Sequence, residues 1–442
     1  MPLQPGRQPS QVSLALQGAA FLARLRLHEH WSEARIRAHQ DRALRRLVAH
    51  AAAHVPYYRE QFRALGMSAA DIRTREDLSR LPVLTRTQLR ERAEDLISNL
   101  APRDALVPSR SSGSTGESVT HWLGPGDFIR SWVLYAYGML WQGGRVTDRY
   151  AVIEFRLEPG PRRRALFEHL GVFRTDPVDL RQPLEEQLAQ LERLRPGVVF
   201  GFPSCLHLLA HHVLRHGTSL RPRLVLTHGE MLLPETRALV GRALGCPVRD
   251  TYGSAEAFRL GCECTRGRLH LLPDSAIVEV DPATRTADGR GDILITPLYL
   301  RSMPLLRYRL GDQVAMAEGP CPCGSGFEGL REIVGRSDDW ITLPDGRRIT
   351  GRHIRPNRIA SLPGVVQFRI VQRAPDRFEA LVLPGPGYGP ESGRRIESVI
   401  HEACAPARVA VEVRLVPDFP RGAAGKHRAV VSEVEPDLTP PR

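Results

Sequence analysis

Between Arg149 and Ala257 the chain alternates apolar runs of strand length with amphipathic runs of helix length, and no other feature restricts the fold as much. RYAVIEF (149–155), VVFGF (198–202), RLVLTHGE (223–230) and the start of PVRDTYGSAEA (247–257) read as strands. Residues 184–194, 204–216 and 235–244 carry helical periodicity between them. A tight turn cannot join parallel strands, so each needs a crossover, usually a helix. The pattern predicts an α/β fold with a mixed or parallel sheet flanked by helices. Ligands on such sheets gather beyond the carboxyl ends of the strands. HGE (228–230) and DTYGSAE (250–256) both lie at such ends.

A second stretch, SRSSGSTGES (109–118), packs glycines and hydroxyls between two more strand candidates, DALVP (104–108) and VTHWL (119–123). Gly113 and Gly116 let the backbone turn and approach a ligand closely. Ser112, Ser114 and Thr115 add hydroxyl donors, and successive N–H groups there can cradle an anion. The prediction is a phosphate-gripping hairpin loop; a plain surface turn is the alternative. It is no Walker site, because the Gly-Lys-Ser/Thr ending is missing.

Elsewhere, residues 31–62 read as helix broken at Pro56, and Thr85 is a cap for a helix from Arg86. Residues 127–141 form an aromatic helix, whose Trp132, Tyr135, Tyr137 and Trp141 are read chiefly as core and secondarily as a pocket wall with GFPS (201–204). Residues 269–309 turn to strands. Residues 340–435 form a smaller α+β unit with a helix at 390–402, divided off at GRSDD (335–339). The expected division is an N-terminal extension (1–30) holding a short amphipathic piece, a large domain (31–337), a small domain (338–436) and a tail (437–442). No apolar run reaches the roughly 18 residues of a membrane span. Arg24, Arg26 and Glu29 interrupt any signal-peptide core, so a cytoplasmic protein is expected.

The net charge of +12 raises the question of nucleic acid. The basic residues are scattered, PRRR (161–164) being the only dense run, and scattered charge is usually a solvated surface. A basic zinc-knuckle protein that binds nucleic acid is the reading from another class. It lacks the aromatics that should interleave with the basic residues near the cysteines. More telling is that one lysine, Lys426, stands among 61 lysines and arginines. Arg and Lys are not interchangeable where a compact ammonium is needed.

Seven cysteines suit a reducing compartment better than a disulfide framework. Cys262 and Cys264, then His270, then Cys321 and Cys323 make five soft ligands in two clusters, which predicts a structural Zn²⁺ pinning the two loops; which four would bind it stays open. Cys205, Cys246 and Cys404 read as small buried hydrophobes.

Five stretches stand in order: SSGSTGES, HGE, DTYGSAE, LLRYRLGD with GRSDD, and FPRGAAGKHR. Together they resemble the adenylate-forming superfamily of acyl-CoA synthetases. HVPYYREQF, LPVLTRTQLRE and the doubled Asp of GRSDD look like its phenylacetate–CoA ligase branch, including relatives linked to capsule synthesis. The resemblance implies a large domain of mixed sheets and a small mobile α+β domain at the C-terminus. It implies ATP-dependent activation of a small carboxylic acid to an acyl-adenylate, then transfer to the thiol of CoA; an acyl carrier protein thiol or an amine is the alternative acceptor. Ser112, Gly113, Ser114, Thr115 and Gly116 would hold ATP phosphates, and Glu256 would help hold Mg²⁺. Tyr252, within DTYGSAE beside Gly253, would stack near adenine, with Gly229, Glu230 and Asp250 around it. Asp312 would bind the ribose, Arg336 would lie beside it, Asp338 would be the hinge, and Lys426 would be the adenylation lysine. Ala255 departs from the Ser or Thr usual before the Glu.

Overall fold

The computed structural model describes residues 11–110, 119–154, 166–169, 171–336, 340–419 and 427–434. It divides into two compact units, Met1–Gly143 with Thr251–Ile333 and Gly144–Asp250 with Val334–Arg442.

The first unit is built on antiparallel strands. Ala276–Val280, Arg290–Pro297 and Tyr308–Met316 pair in sequence, and Gly261–Glu263 pairs with Leu269–Leu271. Five helices belong to this unit. Ser32 caps Glu33–His54 through its side chain, and Pro56 opens the next helix, Pro56–Ala64, at a position where its missing N–H costs nothing. Thr85 and Gln88 form a capping box at Arg86–Glu91, each satisfying the other's backbone N–H. The aromatic helix is Pro125–Trp141. Its Val133, Leu134 and Tyr137 are buried, and Trp132 and Trp141 pack against the same cluster, so most of its apolar face is core.

The amphipathic piece read at residues 12–27 is a helix extended by one residue at each end. It forms an 18-residue helix, Gln11–His28. Phe21 and Leu25 are buried against the aromatic helix's cluster, a burial that contributes about 3–6 kcal/mol for two such side chains. Leu22 packs partly buried against the same cluster.

The second unit carries the strand–helix alternation. Arg149–Glu154, Val198–Gly201 and Leu224–His228 run parallel, and Arg174–Asp179 adds a parallel strand beside Arg149–Glu154. Leu184–Leu194, Pro203–His216 and Pro234–Leu244 supply the helices, and a core of Ile153, Val199, Val225, Leu206 and Val240 lies between the layers. Arg174–Asp179 escapes sequence reading because it is polar and holds Pro177. It is the end strand of its sheet, where a missing ladder donor is tolerated. Residues 340–434 build their own core around Phe368, Ile370, Phe378 and Ile400. There Ala410–Leu415, Arg377–Pro384, Val365–Ala374 and Val430–Ser432 form a four-stranded sheet with the helix Pro390–Cys404. Cys205 and Cys404 are buried as expected, whereas Cys246 is partly exposed. No helix of the described residues is long and apolar enough to cross a membrane.

His207, on Pro203–His216, faces His211 at 3.1 Å and Thr236 at 3.1 Å, with His427 nearby. Burial, reinforced by His211, pushes its imidazole from 6.5 down to about 4. Between those values the unfolded chain binds the proton that the folded chain refuses. The residue's contribution is therefore intact above pH 6.5 and is lost as pH falls toward 4. The loss is at most about 3 kcal/mol. Replacing His207 by Gln should flatten the urea-unfolding free energy across that window; an unchanged slope would contradict this.

Candidate active site

The strand Val248–Tyr252 delivers the second sequence motif to its carboxyl end. Tyr252 is buried, and its hydroxyl donates to Asp312 Oδ2 at 2.7 Å. This brings DTYGSAE and RLGD together inside the first unit, though they lie 60 residues apart. Next comes Gly253. A Cβ there would sit 1.7 Å from the Phe258 carbonyl oxygen, so only glycine fits the turn. Ser254 Oγ accepts the Ala257 N–H at 3.1 Å, and Ser109 Oγ donates to the Ala255 carbonyl at 2.9 Å. The second bond ties the strand Val107–Arg110, which leads into the glycine-rich loop, to the turn. Glu256 is 3% exposed, and Tyr308 donates its hydroxyl to Glu256 Oε1 at 3.2 Å.

In the second unit, Leu224–His228 ends at Gly229, whose φ of 72° is the left-handed turn that favours glycine. Thr227 donates to Asp250 Oδ1 at 2.6 Å. Glu230 accepts from Ser204 N at 2.9 Å and Ser204 Oγ at 3.0 Å, and also from the His427 N–H. Ser204 lies in the first turn of Pro203–His216, so Glu230 places an anion at a helix N-terminus, where the helix dipole favours it. Glu230 thus acts here as a cap and tether. Its sequence position does not reveal this, because both partners are remote in the chain.

Several predicted residues lie outside the described structure: Ser112, Gly113, Ser114, Thr115, Gly116, Asp338 and Lys426. Arg336 ends the strand Gly329–Arg336, and only its backbone is described. The hairpin expected around the glycine-rich loop is present in its described parts, with Val107–Arg110 pairing antiparallel with Thr120–Leu123.

The soft ligands separate cleanly. Cys264, His270, Cys321 and Cys323 bring one ligand atom each to within 4.8 Å of all the others. Cys262 is not in that group. It sits within Gly261–Glu263, fully buried, with its sulfur against helix Pro125–Trp141, where a Cβ on Gly138 would lie 2.7 Å from it. Cys264 lies just past the strand end, in a turn closed by Gly267 N–H to its carbonyl. Burial holds the His270 imidazole below its ordinary range, against the opposing effect of its bond to the Phe327 carbonyl.

No family model matches the chain. A phenylacetate-coenzyme A ligase of Thermus thermophilus is 27% identical over 361 residues, covering 77% of this chain and 78% of the relative. Protein CapK of Staphylococcus aureus is 22% identical over 298 residues, 64% of each chain. A solved structure of a 2-hydroxyisobutyryl-CoA ligase with an acyl-AMP ligand in the postadenylation state superposes with a TM-score of 0.74 over 92% of both chains, at 22% identity. The fold and the ordered motifs are those of the adenylate-forming enzymes. In sequence the chain is similar to the phenylacetate–CoA ligases and to CapK.

Tyr252→Phe removes the only donor that Tyr252 offers Asp312. A hydrogen bond to a charged group nets about 1.5–3 kcal/mol, and urea denaturation should show a loss of that order. Gly253→Ala should cost more, since the clash is with backbone. Wild-type midpoints for both would contradict the geometry.

Proposed function

We propose that this chain is an AMP-forming acid–CoA ligase. A carboxylate oxygen of a small acid attacks the α-phosphorus of ATP, the acyl-adenylate forms, and pyrophosphate leaves. The sulfur of CoA then attacks the acyl carbon, a thioester forms, and AMP leaves. The observation that carries this reading is the group at the end of Val248–Tyr252, where the buried Tyr252 fixes Asp312 and the buried Glu256 is held one turn away. Asp312 accepts the ribose hydroxyls, and Tyr252 offers its ring to the base. Ser112 to Gly116 grip the β- and γ-phosphates. Glu256 would help hold Mg²⁺, a hard cation that would neutralise phosphate charge when bound. A structural Zn²⁺ belongs to the same reading.

Little covalent work falls to the protein, so positioning and charge stabilisation supply the rate. Lys426 supplies the compact ammonium between the attacking carboxylate and the α-phosphate. Its chain neighbour His427 is bonded to Glu230, which supports a seat near HGE. Residues 338–436, with their own core, are the unit that rotates between the half-reactions, hinged at Asp338. CoA is favoured as acceptor over a carrier-protein thiol or an amine because the relatives are named for CoA ligation. The reaction is placed in the cytoplasm, where ATP and CoA are supplied.

ATP–pyrophosphate exchange tests this across a panel of aryl and short aliphatic acids. Exchange should depend on an added acid. Lys426→Arg should lose about 10²-fold or more, the scale of deleting an oxyanion donor. It should keep thioester formation from a pre-made acyl-adenylate. Near wild-type exchange in Lys426→Arg would remove the lysine from the mechanism, and exchange without any acid would remove the reading.

A further inference from the structure

Three thiols and an imidazole converge in a buried spot that the proposed chemistry does not use. Cys264 and Cys321 hold their sulfurs 3.8 Å apart, and Cys323 Sγ lies 3.3 Å from His270 Nε2. No disulfide joins any of them. With Zn–S near 2.3 Å and Zn–N near 2.0–2.1 Å, a tetrahedral ion sets sulfurs about 3.8 Å apart and sulfur and nitrogen about 3.5 Å apart. The observed separations follow those values. Thiols alone gain little from such crowding, because S–H is a weak donor and sulfur a weak acceptor.

The surroundings fit as well. His270 Nδ1 lies 2.9 Å from the Phe327 carbonyl, so Nδ1 carries the proton and Nε2 keeps its lone pair toward the sulfurs. The Arg266 N–H points to Cys264 Sγ at 3.4 Å. Gly324, with φ 82°, turns the chain after Cys323, and its N–H closes on the Cys321 carbonyl at 3.0 Å. The same yardstick rejects the other cluster of potential ligands in this unit. His28 and His39 meet Asp274 at 2.6 and 3.0 Å, which are hydrogen bonds and too short for partners on one ion, which would hold nitrogen and oxygen about 3.3 Å apart.

We infer that Cys264, His270, Cys321 and Cys323 bind one Zn²⁺ in a closed structural site, and that this ion clamps the strands beside Tyr252. The inference deepens the zinc part of the proposed function. Four protein ligands leave no open position, so the ion is not a Lewis acid for substrate. Its place in the fold gives it a different task. Cys264 follows Gly261–Glu263 directly, and His270 sits on the paired strand Leu269–Leu271. Gly261 and Cys262 in turn pair with Tyr252 and Thr251. The ion therefore ties the 321–324 loop to the hairpin that supports the nucleotide-side tyrosine. Cys262 contributes packing and ladder bonds but no ligand.

The test begins with metal analysis of protein purified without chelators. About one zinc per chain is expected in the wild type, as a closed four-ligand site requires. Cys264→Ser and Cys321→Ser should lose it, and Cys262→Ala should keep it. Should the serine variants fail to fold, Co²⁺ exchanged into the wild type keeps the question open to measurement. It should show intense tetrahedral d–d bands and thiolate charge transfer. On chelation the wild type should melt earlier and show a raised KM for ATP with kcat less affected. Substoichiometric metal in the wild type, octahedral Co²⁺ spectra or metal loss in Cys262→Ala would overturn the site. Full metal with no effect of chelation on KM would overturn the clamp. Absence of any acid-dependent exchange would count against the ligase reading alone.

Discussion

Much of the candidate site depends on one hydrogen bond, from the Tyr252 hydroxyl to Asp312. The two residues come from strands distant in the chain, Tyr252 at the end of one and Asp312 within Tyr308–Met316. Tyr252 arrives at the end of a strand, and Asp312 follows Gly311, whose φ of 90° only glycine adopts readily. The bond fixes the direction of the partly buried Asp312 carboxylate. Gly253 lets the chain leave the strand against the Phe258 carbonyl and reach Glu256 within one turn. Tyr308 then holds Glu256 from the strand that also carries Asp312. Two tyrosine hydroxyls thus orient two acids.

The carboxylates of the second unit are held by different groups. Glu230 spends both oxygens on Ser204 and the His427 N–H, which makes it a structural anion at a helix start. Asp250 accepts from Thr227 through one oxygen. A motif residue can therefore be near a site for the sake of the scaffold. The lone lysine is the complementary case, since a surface built with arginine has no need of it.

Much of this was legible in the sequence. The strand–helix alternation of residues 149–257 specifies the crossovers, and the prolines of Pro203–His216, Pro234–Leu244 and Pro390–Cys404 mark helix starts. The Thr85 capping box is readable because its two halves lie three residues apart. What was not legible depends on distant partners. Arg174–Asp179 is a strand because its neighbour offers a free edge and Arg149 meets the buried Asp176. Gln11–His28 was legible as an amphipathic piece, but its packing against the aromatic helix was not. Spacing could not separate Cys262 from Cys264. Only the strand end between them decides which sulfur faces the helix and which faces His270.

The central claim concerns which phosphorus is attacked. Wild-type protein mixed with ATP, Mg²⁺ and an accepted acid, without CoA, should yield a bound species of mass equal to acid plus AMP less water, with pyrophosphate released. Adding CoA should convert that species to acyl-CoA and free AMP within one turnover. Mass spectrometry of the quenched mixture reads both steps. Release of ADP and phosphate in place of pyrophosphate, or an acyl-adenylate that no thiol discharges, would contradict the assignment.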